Sequence, residues 1–334
     1  MIRRDFIKLI ITSLASHPIA AMAQRSIPVI GALSPNTHTV LDSAFYAGFS
    51  QGMRELGYAE GKDYRIEWRF ADGDYTRLSA LANELVALKV NVLFATSSPS
   101  ILAAHAATTT IPIVMGYFEG DPTEHGLAAS LARPTGNVTG LATMQLEGVS
   151  KDLDLIRTIL PNLSRLGVLL NPTLVSYRAA VEHLRTLAEK IGITVQDREA
   201  RTPQEIETAF NAIGHTNNVG GILVMGDAFF FANRQRLVEL SLTNRMPLIV
   251  SGNPEFAVAG ALMSYGASVP DMFHRSTTYV DKILKGARPG DLPIEQPTKF
   301  DLVVNLRTAK ALEFQINDKM LSVAGLNNQL PNVA

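Results

Sequence analysis

The 334-residue chain contains no cysteine. That excludes a disulfide framework, a thiolate metal site, an iron–sulfur cluster and a cysteine nucleophile. It also excludes a lipid anchor joined through cysteine, so an exported form is expected to float free after processing. Net charge is nearly absent too: 30 basic residues face 31 acidic ones, for a formal charge of −1. With no basic stripe and no long run of like charge, nucleic acid is not an expected partner. No segment approaches the roughly 20 apolar residues needed to cross a bilayer as a helix. No GxGxxG follows the first apolar run, so the dinucleotide fingerprint is missing. The seven histidines show no HxxxH or HExxH spacing. No cofactor and no metal are expected.

What is present is a globular composition, 46% hydrophobic and 18% charged, long enough for two lobes with cores of their own. Residues 1–23 have the form of a signal peptide. Arg3, Arg4 and Lys8 precede an apolar stretch from Leu9 to Ala15, Pro18 ends it, and Ala21-Met22-Ala23 offers the small residues of a cleavage site before Gln24. Arg3-Arg4-Asp5-Phe6-Ile7-Lys8 is similar to a twin-arginine motif, with Ile2 where Ser or Thr is usual. Either the twin-arginine or the general secretory route is therefore open, and the expected location is the periplasm.

The remainder alternates strand-length apolar runs with helix-period stretches. Ile27–Leu33, Tyr64–Phe70, Val90–Ala95, Ile111–Met115 and Asn137–Leu141 are predicted strands. Phe45, Phe49, Met53 and Leu56 mark the first helix face, which Gly57 stops. The pattern restarts with strands at Leu166–Leu170, Ile193–Asp197 and Gly221–Met225, then Leu248–Val250 and Leu262–Tyr265. A second helix face (Tyr177, Val181, Leu184, Ala188) is again stopped by a glycine, Gly192. One βαβαβ unit used twice predicts an α/β fold of two similar lobes, each a parallel sheet with helices on both faces.

Parallel sheets of this kind bind ligands beyond the carboxyl ends of their strands, where helix N-termini point. The candidate binding residues are therefore taken from those loops. They are Ser34 and Asn36 after the first strand, Ser97 and Ser98 after the third, and Tyr117, Phe118 and Asp121 after the fourth. From the second half come Asn171, Tyr177, Gly226, Asp227 and Asn253. Ser97 and Ser98, at a helix start before Pro99, suit a carboxylate. Asp121 or Asp227 suits an amine, and Tyr117, Phe118 or Tyr177 an apolar part.

Enzyme motifs fail on context. Gly48-Phe49-Ser50-Gln51-Gly52 matches GxSxG, but the serine of a hydrolase needs a sharp strand-to-helix turn, and these residues fall inside an amphipathic helix. Two small residues letting that helix pack closely is the simpler reading. Gly57–Lys62 has one residue too few for a phosphate loop, and Asp63 stands where Ser or Thr is required.

Several segments together resemble a known family, the type I periplasmic binding proteins of ABC transporters. They include Phe49-Ser50-Gln51-Gly52-Met53-Arg54-Glu55-Leu56-Gly57-Tyr58 and Ser130-Leu131-Ala132-Arg133-Pro134-Thr135-Gly136-Asn137-Val138-Thr139-Gly140. Val280-Asp281-Lys282-Ile283-Leu284-Lys285-Gly286 and Phe300-Asp301-Leu302-Val303-Val304-Asn305-Leu306 follow in order. The resemblance implies a two-lobed clamp joined by a multi-strand hinge. Lobe 1 is expected at 24–141 plus 262–291, lobe 2 at 142–261 plus 292–320, and a C-terminal tail at 321–334. It further implies a monomeric, non-enzymatic importer component that closes on a small polar solute, such as an amino-acid-like one, and docks on an ABC permease with its ATPase. An exported hydrolase and a ligand-sensing module for a membrane receptor are the alternatives.

Overall fold

Near-continuous runs of Val, Ile and Leu build two sheets that are covered on both faces. The computed structural model describes residues 27–321 apart from Ser43, Met144, residues 215–218, Asn253 and Lys319. The expected leader and all but Leu321 of the expected tail lie outside the described residues.

The first sheet holds β1 (Val29–Ser34), β2 (Arg65–Phe70), β3 (Val92–Ala95), β4 (Ile113–Glu119) and β5 (Val138–Thr143), all parallel, in the order β2-β1-β3-β4-β5. The second holds β6 (Arg165–Leu170), β7 (Thr194–Glu199), β8 (Gly221–Met225), β9 (Leu248–Ser251), β10 (Met263–Ala267) and β11 (Phe300–Val304). Its order is β11-β10-β9-β8-β6-β7, with only β11 antiparallel. Strands β7-β6-β8-β9-β10 repeat the order of the first sheet, as the duplicated sequence pattern requires.

Helices α1 (Ala44–Glu55), α2 (Leu78–Ala87) and α3 (Ser98–Ala107) belong to the first lobe. The second lobe holds α4 (Gln145–Ile159), α5 (Val175–Glu189), α6 (Pro203–Gly214), α7 (Ala228–Ala232), α8 (Arg234–Thr243) and α9 (Glu255–Ala259). The chain then returns to the first lobe with α10 (Val269–Leu284) and ends in the second with α11 (Leu306–Ala311). Alternate residues of each strand serve opposite cores. Ile30, Val92 and Phe94 pack beneath α1 and α10, whereas Leu33, Leu93 and Ala95 pack beneath α2 and α3.

Helix α10 lies along α1 and crosses β4. Gly48 and Gly52 line that seam. A Cβ on Gly48 would run into the Pro270 carbonyl oxygen, and one on Gly52 would sit 2.7 Å from the His274 carbonyl oxygen. Ser50 thus lies mid-helix between two packing glycines, with no strand-to-helix turn to expose it as a nucleophile.

Two expectations are corrected. Residues 262–267, assigned above to lobe 1, belong to the second sheet: Met263–Ala267 form β10, which pairs with β9, and the Leu262 N–H donates to the Leu248 carbonyl. The second crossing therefore falls at Ser268, where α10 begins. Residues 292–295, assigned to lobe 2, stay with the first: Glu295 bridges Leu141, and its N–H donates to the Gly140 carbonyl at 3.0 Å. The third crossing is the stretch between Glu295 and β11. An apolar run reveals a strand but not which sheet it joins, because either sheet would bury it equally.

Replacing Gly48 by Ala gains about 1 kcal/mol of helix propensity. It also forces α1 off the backbone of α10, and overpacking of this kind costs roughly 1–3 kcal/mol. A net loss of stability is expected in urea unfolding, with the midpoint lowered and the slope unchanged; an equal or raised midpoint would refute the close-packing role.

Candidate functional site

The segments that join the lobes are tied together, Glu295 bridging Leu141 and the Ser268 N–H donating to the Lys299 carbonyl at 3.0 Å, and the carboxyl ends of both sheets line one space. Between them lies a cavity of about 360 Å³, lined from both lobes and the crossings, a size common among small-molecule sites, which run from about 300 to 1,000 Å³.

The first-lobe wall comes from the ends of β1, β3 and β4, on both sides of the point where strand order reverses. Asn36, Thr96, Ser97, Tyr117 and Glu119 line it. β4 runs four residues past its predicted end at Met115, and its register shifts between Met115 and Phe118. After that irregularity Tyr117 and Glu119 face the cavity while Phe118 turns into the opposite core, fully buried. Phe118 is thus a core residue, not a loop residue beside a solute.

The start of α3 already carries a carboxyl group of the protein itself. Glu119 Oε2 accepts from the Ser98 N–H at 2.9 Å and from the Ser98 hydroxyl, and the Glu119 N–H donates to Ser98 Oγ at 2.8 Å. Ser98 is therefore consumed by the protein and does not line the cavity, contrary to its assignment as a carboxylate ligand. Burial raises the Glu119 carboxyl from 4.5 to about 7, against the pull of the Ser98 bonds.

The second-lobe wall includes Asp152, Tyr177, Gly226, Asp227, Phe231 and Ser251. Asp227 caps α7: its Oδ1 accepts from the Phe230 N–H at 2.7 Å, and its Oδ2 accepts from Asn171 Nδ2 at 2.7 Å. Burial lifts it to about 6 in spite of those donors. Tyr177 donates to the Gly226 carbonyl at 2.6 Å.

The lobes touch directly. The Tyr75 hydroxyl donates to Asp227 Oδ2 at 3.1 Å and accepts from the Phe229 N–H at 2.9 Å. The Ser176 hydroxyl donates to the Glu119 carbonyl at 2.8 Å. Phe45 meets Phe231 with ring centroids 5.4 Å apart. Phe273 of α10 packs edge-on against Phe45, Tyr46 and Phe94 and tilts against Tyr117, giving the cavity an aromatic floor.

Several buried polar atoms at this cavity have no hydrogen-bond partner among the described residues: Asn36 Oδ1, Thr96 Oγ1, Ser97 Oγ and both oxygens of Asp152. Native structures leave very few such atoms, and here they gather at one place. Hydroxyls on one wall and a carboxylate on the other suit a solute carrying both an acceptor and a donor.

Of the residues chosen from sequence, Asn36, Ser97, Tyr117, Tyr177, Gly226 and Asp227 line the cavity. Ser34 sits behind it, its hydroxyl 2.9 Å from that of Tyr46. Asn171 stands one bond back, on Asp227. Asp121 closes a local turn, accepting from the Thr123 N–H at 2.8 Å and hydroxyl at 2.7 Å; small acidic residues fold back on their own backbone in this way. Asn253 lies outside the described residues. Sequence reasoning missed Phe45, Tyr46, Glu119, Asp152, Phe231 and Phe273. Asp152 alone carried a usable signal, because it shares the buried helical stripe of Val149, Leu153 and Ile156, where a carboxylate has no packing role.

The family model described as "ABC transporter substrate binding protein" matches residues 29–327. A tyrosine-binding protein of Clostridioides difficile (strain R20291) is 28% identical over 278 residues, covering 83% of this chain and 79% of that protein. An ABC domain from Streptococcus pneumonia, solved in complex with L-Trp, is 25% identical with a TM-score of 0.81, over 91% of this chain and 99% of the other. A ligand-free, open structure of a substrate binding protein with adhesive properties from Clostridium difficile is also 25% identical, with a TM-score of 0.64 over 87% and 97% of the two chains. At equal identity, the L-Trp complex superposes better than the open form.

The raised Glu119 value has a definite sign. The folded protein holds this proton more tightly than the unfolded chain does, so the stability it brings is complete below 4.5 and is lost as the pH rises through about 7. That loss is at most on the order of 3 kcal/mol. Glu119→Gln removes the titration and keeps an acceptor for Ser98. Thermal midpoints measured from pH 4.5 to 8 are expected to fall more steeply for the wild type than for the variant; parallel curves would refute the assignment.

Proposed function

This chain belongs to the ABC transporter substrate binding protein family, and on that premise we propose that it captures a small amino acid with an aromatic or large apolar side chain by closing two lobes around it. The observation that carries this reading is the gathering of unpaired buried hydroxyls (Thr96, Ser97), Asn36 and the Asp152 carboxylate beside an aromatic floor. Thr96, Ser97 and Asn36 hold the solute's carboxylate, acids of the second lobe its ammonium, and Tyr117 and Phe273 its side chain. The start of α3 is left to Glu119.

The tyrosine-binding relative and the L-Trp complex support the ligand class. The closer likeness to the L-Trp complex than to the open form supports closure as the bound arrangement. Closure buries the solute and brings Tyr75 to Asp227, so a ligand touching both walls shifts the open–closed balance by its differential affinity. We further propose that the protein is exported to the periplasm, works as a monomer and delivers its solute to an ABC permease and ATPase for import.

Isothermal titration of the purified protein against the common amino acids tests the ligand class. Aromatic and large apolar amino acids are expected to bind. Ser97→Ala is expected to weaken them about tenfold, as loss of a hydrogen bond to a charged group does. Heat signals for sugars or inorganic ions, with none for any amino acid, would overturn the reading.

Tyr75→Phe leaves the Phe229 N–H unpaired in the closed form. It is expected to weaken binding several-fold, by about 1 kcal/mol, and to enlarge the radius of gyration seen by X-ray scattering at sub-saturating ligand. Unchanged affinity and radius would show that the inter-lobe bonds do not hold closure.

A further inference from the structure

Asp152 sits about two turns into α4, at the second-lobe side of the hinge, with a relative exposure of 1%. Neither carboxylate oxygen has a hydrogen-bond partner among the described residues. The other two buried acids of the cavity do not share this state. Glu119 is engaged by Ser98, and Asp227 by Phe230, Asn171 and Tyr75. Burial pushes the Asp152 carboxyl up from 3.8 to about 7; the nearby Ser251 hydroxyl opposes the rise without reaching hydrogen-bond geometry. The preceding Lys151 also lines the cavity, with its side chain largely exposed, but neighbours one residue apart on a helix do not face each other, and it makes no hydrogen bond to Asp152. An unpaired carboxylate at a helix's buried stripe destabilises the closed form unless a donor arrives from the cavity.

The surroundings narrow what that donor can be. Burial and, after it, the charge of nearby Asp152 raise the Tyr265 phenol, and its ring stacks on Phe300 at 5.9 Å between centroids. Asp152, Tyr265 and Phe300 line the cavity together with Ser251, Gly252, Gly266 and Pro297. A wall that sets an acid among aromatic rings takes a cation: the carboxylate pairs with it, and a ring attracts it as well.

We propose that Asp152 is the specificity-determining residue of the cavity, pairing with a primary ammonium group of the solute and rejecting solutes of the same shape that lack one. The proposal rests on the amino-acid reading above for the identity of the solute, but its claim concerns the amine alone. Asp152 is a binding residue here, and Asp227 and Glu119, already satisfied, are part of the frame. A site built around a buried charge discriminates strongly, because a solute without the partner leaves that charge unpaired.

The test titrates the full-length processed protein with L-tryptophan and with indole-3-propionate, which keeps the ring and carboxylate and lacks the amine. The wild type is expected to prefer L-tryptophan by at least ~100-fold. Asp152→Asn, close to isosteric, is expected to lose most of that preference by weakening L-tryptophan while leaving indole-3-propionate unchanged or tighter. Asp152→Ser is measured in parallel in case the first variant misfolds, and thermal melts report folding for both. A variant that keeps the wild-type preference, or weakens both compounds equally, overturns the proposal.

A second arm separates this proposal from the amino-acid reading. If the wild type binds neither indole compound, Asp152 is judged with phenethylamine and 3-phenylpropionate in thermal-shift measurements, and the amino-acid reading itself fails only when no amino acid binds. Stabilisation by the amine in the wild type, lost in Asp152→Asn, supports the proposal. No stabilisation by the amine, or the same stabilisation in both proteins, overturns it.

Discussion

The structure depends on a constraint of parallel sheets. Strands covered on both faces by helices leave only their ends open to a ligand. Here three chain crossings join two such sheets, and their carboxyl ends line one space. Every polar group there then faces either its own lobe, the opposite lobe or a guest. Most are settled within the protein: Ser34 with Tyr46, Ser98 with Glu119, Asn171 with Asp227. The remainder, Asn36, Thr96, Ser97 and Asp152, define what the cavity lacks.

Three buried carboxyls with raised affinities for protons are costly to keep in one cleft. Each has a separate local reason. Glu119 holds the start of α3, Asp227 holds the start of α7 and meets Tyr75 across the lobes, and Asp152 has no hydrogen-bond partner among the described residues. A fold that tolerates such groups trades stability for function, since apolar residues there would be more favourable to the empty closed form. The aromatic floor works in the opposite direction. Phe273 reaches Phe45, Tyr46, Phe94 and Tyr117 from α10, so the helix that returns from the second lobe also anchors the first-lobe wall. Closure and wall geometry thereby share one element, immediately after the hinge residue Ser268.

Much of the fold was legible in the residues themselves. Alternation of apolar runs with 3.6-period stretches located ten strands and the larger helices, and the restart near Leu166 announced the duplication. The small residues Gly48 and Gly52 foretold a close helix seam, although not that its partner would be α10, more than 200 positions away. Of the residues chosen from the loops after strands, six line the cavity. Failures came where a side chain's direction mattered. The irregularity in β4 sent Phe118 inward and Glu119 toward the cavity, and a one-residue shift of register has that effect on every later side chain. Ser98 was a sound helix-cap residue whose partner was an acid 21 positions on.

The sequence by itself determined the kind of element at nearly every position, the repetition of a parallel unit and the strand ends at which the cavity lies. These follow from hydrophobic period and turn chemistry, which act over a few residues. Only the tertiary structure decided which sheet β10 joins, where the chain crosses, which polar groups satisfy one another and which stay open. Those outcomes depend on pairs of atoms brought together from distant parts of the chain. A buried hydroxyl or carboxylate is defined as paired or unpaired by its three-dimensional neighbours, and no local pattern contains them.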